Sequence, residues 1–91
     1  AEAAARADRR AADDARRAAH NAPKKIKMLE PKIEEKEAAI LDLDAELTRA
    51  SADVERVQTL FAEKTALQAE VDAMYAEWEE LEALVAAASV T

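Results

Sequence analysis

Few side chains in this chain could do covalent or acid–base chemistry, and their placement narrows what they could do. His20 is the only histidine, and there is no cysteine and no glycine. A nucleophile activated by histidine needs an orienting acid and a pocket that holds all three groups. His20 lies in a polar stretch of Ala, Arg and Asp that offers no such pocket. One histidine without cysteine cannot build a His/Cys metal cluster. Phosphate-cradling loops need glycine where backbone approaches the phosphate, so nucleotide-binding loops of that kind are excluded. Carboxylates stand side by side at Glu34-Glu35 and Glu79-Glu80. Such pairs move protons only in a cleft that perturbs their pKa, and on thin helices they are solvated faces. The chain therefore reads as a non-enzyme, with no cofactor and no metal expected.

The chemistry that remains is charge. Residues 1–27 hold eight Lys and Arg against four acids, while residues 28–91 hold five against sixteen, for a net charge of −7. A basic arm on an acidic body suggests different partners for the two parts. Arg6, Arg9, Arg10, Arg16, Arg17, Lys24, Lys25 and Lys27 are the residues able to contact phosphate. Contacts of that type are salt-dependent and mostly blind to base sequence. Asp8, Asp13 and Asp14 dilute the field, and no aromatic is interleaved for base stacking.

The elements that must carry these residues are helices. Ile26, Leu29, Ile33, Ile40, Leu43 and Leu47 form one run at spacings of three and four, with one gap of seven. Val57, Leu60, Leu67, Val71, Met74, Trp78 and Leu81 form another. Such spacing draws a coiled-coil stripe along a helix. No alternation of β-branched and polar residues supports a strand. No apolar run approaches 18 residues, so no span crosses a membrane and the chain is expected to be soluble or peripheral. Residues 1–22 are almost wholly Ala, Arg and Asp, with opposite charges four apart such as Glu2 and Arg6. Each pair of that kind supports a helix by roughly 0.2–0.5 kcal/mol. This arm is expected to be a solvated helix or a linker that orders on a partner. Pro23 and Pro31 are read as breaks, because proline disfavours helix at the residue before it. The first seam helix is then expected over about residues 31–49.

The two stripes are out of heptad phase, which interrupts the pattern between Leu47 and Val57. Ser51 or Asp53 could cap a new helix there. The spacing predicts an all-α fold: an antiparallel two-helix coiled-coil hairpin, residues 24–91, with its turn near 49–53. A helical or flexible arm, residues 1–23, precedes it. One continuous helix with a stutter is the competing reading. The preferred register sets Ile40 beside Leu60, Ile33 beside Leu67, Leu29 beside Val71 and Ile26 beside Met74. It brings Lys25 near Glu77, Lys32 near Glu70 and Glu46 near Arg56, but it also makes Lys36 face Lys64. Sliding by a heptad separates the lysines but is expected to lose those charge pairs and to lengthen the loop, so the first register is preferred, with both lysines reaching out to water.

Val54, Phe61 and Tyr75 stand seven and fourteen apart on one flank of the second helix, with Leu41 outside the other seam. They either complete the core or form a partner surface. Trp78 is expected to pack over Ile26, Met74 and Leu81. The leading functional reading is a structural or adaptor subunit. It docks on protein subunits of a larger assembly through Val54, Phe61 and Tyr75 and through Arg9, Arg10, Arg16 and Arg17. Self-association of two hairpins into a four-helix bundle is a further reading.

Two segments carry a family likeness. Lys24-Lys25-Ile26-Lys27-Met28-Leu29-Glu30-Pro31-Lys32-Ile33-Glu34-Glu35-Lys36-Glu37 leads into the first helix, and Met74-Tyr75-Ala76-Glu77-Trp78-Glu79-Glu80-Leu81-Glu82-Ala83-Leu84 ends the second. Together they resemble the C-terminal coiled-coil domain of ABC-F ATPases over about residues 24–84. The resemblance implies an antiparallel helical hairpin implicated in contacting DNA or ribosomal RNA. It also implies that Lys24, Lys25 and Lys27 face the nucleic acid, which is the second functional reading of the chain.

Overall fold

The computed structural model describes residues 1–89. The expected hairpin body runs to residue 91, and its last two residues lie outside the described ones. Two helices, α1 (Glu2–Arg49) and α2 (Val54–Ser89), fold back on each other. The molecule measures 70 × 25 × 16 Å, and its long axis is that of a 48-residue helix rising 1.5 Å per residue.

The turn closes without glycine because no backbone in it needs a positive φ. Ala50 ends α1 at φ −95 and ψ 11, with its N–H donating to the Glu46 carbonyl. Asp53 N–H donates to the Ala50 carbonyl at 2.8 Å. Asp53 is the N-cap, its Oδ1 accepting the Arg56 N–H at 3.1 Å, which satisfies a donor that a helix start leaves open. Of the two caps expected, Asp53 is the one used. The chain reverses here, so the stuttered single helix is set aside.

All thirteen seam residues turn inward, buried or half-buried. Leu60 is the most enclosed of the large side chains. At the open end, Ala22, Ile26, Leu29, Ile33 and Leu81 form one cluster, with Met74, Trp78, Leu84 and Val85 packed against it. Trp78 thus joins the residues it was expected to cover.

Two expectations are corrected. First, Pro23 and Pro31 do not break the chain: both lie inside α1. Proline in a helix interior forfeits a hydrogen bond and crowds the preceding turn, at about 3 kcal/mol or more. The ring's own φ is nevertheless helical. Both prolines are exposed, while Ala22, Ile26, Leu29 and Ile33 around them are buried against α2. Each large buried side chain contributes about 1.5–3 kcal/mol, enough together to keep α1 continuous through both sites.

Second, the register is the one slid by a heptad. Lys36 Nζ pairs with Glu70 at 2.8 Å, where Lys32 was expected to, and Lys64 Nζ pairs with Asp44 at 2.6 Å. Ile26 shares its cluster with Leu81, and Leu84 and Val85 reach the cluster around Ala22. In the preferred register two half-buried ammonium groups would face each other and repel. The slide gives each a carboxylate. Glu46 and Arg56 still pair across the turn at 3.1 Å.

Candidate docking surface

A two-helix hairpin buries one stripe of each helix and leaves two flanks open. On one flank the apolar surface is broad. Leu41 is 69% exposed and Phe61 60% exposed, while Tyr75 is partly covered. A shallow groove of about 260 Å³ runs between the helices, lined by Glu37, Ile40, Leu41, Gln68, Asp72 and Tyr75. Gln68 and Asp72 also border the hollow beside Phe61, so Leu41, Tyr75 and Phe61 lie along one continuous flank. In the other direction, Tyr75 and Glu37 border a third hollow with Glu30, Glu34 and Trp78. The flank is therefore an apolar strip with an acidic rim.

Tyr75 ties the strip together. Its hydroxyl donates to Glu37 Oε1 at 2.6 Å, linking α2 to α1. This hydrogen bond, then burial, then the negative charge of Glu37 hold the phenol above its ordinary pKa. Gln68 donates to Asp72 at 3.0 Å on the same side. Val54 is 69% exposed at the start of α2.

The basic residues lie on a different part of the molecule. Every residue from 1 to 17 is exposed, and α1 first becomes half-covered at Ala18 and Ala19. Arg16 pairs with Asp13 on the same helix, and Arg9 Nε donates to the Ala5 carbonyl at 3.5 Å. Arg10 and Arg17 are exposed, as are Lys24, Lys25 and Lys27. The three lysines do not form one patch. Successive residues on a helix are about 100° apart, so Lys24 and Lys27 share the outer side while Lys25 turns towards α2. Lys25 indeed borders a groove with Met28, Lys32 and Glu77.

Reading a break at Pro23 hid what continuity creates. On one unbroken helix, Arg10, Arg17 and Lys24 recur every seven residues, and Arg9, Arg16, His20 and Lys27 follow at seven, four and seven. These spacings gather the arm's arginines and two of the lysines onto one outer stripe. The acidic rim was also missed, since it depends on which residues of α2 stand beside Glu30, Glu34 and Glu37.

Among the described residues no three His, Asp or Glu side chains are placed to hold a metal ion. Among them, too, no helix is long and apolar enough to cross a membrane.

A family model, the ABC transporter C-terminal domain, matches residues 19–83. The match begins where α1 meets the end of α2 and takes in the whole turn. It agrees with the likeness carried by the Lys24 and Trp78 segments. No curated protein and no solved structure matches the chain.

Proposed function

Because the chain belongs to the ABC transporter C-terminal domain family, we propose that it is a non-catalytic docking module, joining protein subunits of a larger assembly through the flank of Leu41, Phe61, Val54 and Tyr75. The observation that carries this reading is the uncovered apolar strip. The thirteen large seam residues all find cover, yet Leu41, Val54 and Phe61 stay mostly exposed on one flank, with Met28 exposed on the opposite side. Apolar surface gathered on one flank with a polar rim is the usual mark of a protein partner. The hairpin serves as a stiff spacer with residues 24–91 as body and 1–23 as arm. Arg9, Arg10, Arg16 and Arg17 supply charge contacts from the arm. Replacing Phe61 and Leu41 with Ser tests this: the fold should persist while co-purification with partner subunits is lost. Undiminished co-purification would count against it.

A second reading is favoured by the outer stripe on α1. Arg10, Arg17, Lys24 and Lys27 line up over a length suited to a run of phosphates, and binding of DNA or ribosomal RNA there would be steeply salt-dependent. Changing Lys24, Lys25 and Lys27 to Ala should weaken binding uniformly across sequences. On the stripe geometry, Lys24 and Lys27 account for more of that loss than Lys25.

A further inference from the structure

We propose that a second copy of this chain docks on the acidic side of the flank, its basic arm lying antiparallel beside residues 29–44 of the first. The inference rests on the reading of that flank as a protein-docking surface and names its occupant.

The observation is a charge line along α1. Arg9, Arg16, Pro23, Glu30 and Glu37 follow one another every seven residues on a single helix. A heptad line drifts by about 20° per repeat on a straight helix, about 80° from Arg9 to Glu37, and the left-handed supercoil of two docked α1 helices would remove that drift. The line is therefore positive at one end and negative at the other, with Pro23 midway. Two copies running antiparallel about Pro23 set Arg9 against Glu37 and Arg16 against Glu30. Two-fold symmetry makes each pair twice, as an isologous contact requires.

The neighbouring line supports the same register. Ala5, Ala12 and Ala19 also recur every seven residues, next to the Arg line. Antiparallel pairing sets Ala5 against Leu41, the most exposed large apolar residue of α1. Among the described residues the arm over 1–17 has no packing partner on α2, and all of those seventeen residues are exposed. Docked, it would complete a three-helix layer over the groove of Glu37, Leu41 and Tyr75. Glu37 is free to accept an arginine there, since a carboxylate has two oxygens and the Tyr75 hydroxyl engages Oε1. Arg16 would share itself between Asp13 and Glu30. Packing flank on flank, as in a four-helix bundle, fares worse. It would bring the Glu30, Glu34, Glu37 and Asp72 rims of both copies together, and like charges repel.

The test is sedimentation equilibrium of the full chain over a wide concentration range, with circular dichroism confirming helicity. Wild type should form dimers that weaken as salt rises. R9E/R16E alone and E30R/E37R alone should each weaken dimerisation by about tenfold or more, on the scale of several exposed ion pairs turned to repulsion. Mixing the two variants should restore a dimer containing one copy of each. Register is checked independently. The chain has no native cysteine, so A5C/L41C should oxidise to a covalent dimer, while the two positions lie too far apart along α1 to join within one chain. A monomer at every concentration overturns the proposal. So does a dimer indifferent to both charge reversals, or one not restored on mixing. The docking reading would survive such a result, because loss of partner subunits on changing Phe61 is measured separately.

Discussion

Leu60 and Leu41 are the same residue type with opposite fates. Leu60 is 1% exposed in the seam and Leu41 stands outside it. Leu60→Ala should cost about 2–5 kcal/mol through lost transfer energy and a cavity, while Leu41→Ala should stay within about 0.5 kcal/mol. Thermal unfolding of the two variants checks the contrast, and equal losses would mean that the seam is misassigned. Both fates were legible from spacing, because 3.6 residues per turn sorts positions before any neighbour is known. The lysines were not so legible. Lys36 and Lys64 sit at seam positions, and their carboxylates, Glu70 and Asp44, come from the opposite helix. Which acid serves which lysine depends on register, and register is a property of the pair of helices. Tyr75 illustrates the same point, since Glu37 is thirty-eight residues away in sequence. The phenol's pKa is raised in the folded state, so its protonated form stabilises the fold. That contribution is complete below the ordinary tyrosine pKa and is lost as pH rises through the folded value. Tyr75→Phe should flatten this alkaline loss in a series of melts between neutral and strongly basic pH. An unchanged pH profile would sink the assignment.

At the scale of elements, continuity of α1 is the main departure from expectation. Local rules placed breaks at Pro23 and Pro31, and burial of Ala22, Ile26, Leu29 and Ile33 overrides them. The override has a measurable consequence. Pro31→Ala restores a backbone donor inside a helix and should stabilise the hairpin by up to about 3 kcal/mol. No gain in melting temperature would indicate a true break at that position. The turn was more legible, because Asp53 is a cap by residue type and uses that role in the structure. Asp53→Ala should cost about 1 kcal/mol, read by the same melts.

At the scale of the molecule, hairpin and family were expected from the sequence, through the doubled stripe and the Lys24 and Trp78 segments. The stripe alone leaves a single stuttered helix open, and the Asp53 cap and the chain reversal decide against it. The charge line was not expected, since it exists only when arm and body share one helix. Residues 1–17 of the arm add length and charge without joining the core, whereas Ala22 packs into it. Removing residues 1–17 should leave the melting temperature of the hairpin near that of the full chain under conditions where the chain is monomeric. A large drop there would show that the arm packs on its own body.

The claim that the flank docks on a protein is tested most directly by placing a photo-crosslinking amino acid at Phe61 in the full chain within its native extract. Docking through this flank should give crosslinks from this position to a defined protein subunit, unaffected by nuclease and reduced when Leu41 is changed to Ser. Crosslinks only to nucleic acid, or none from Phe61 while lysines of the basic stripe crosslink in a nuclease-sensitive manner, would contradict it.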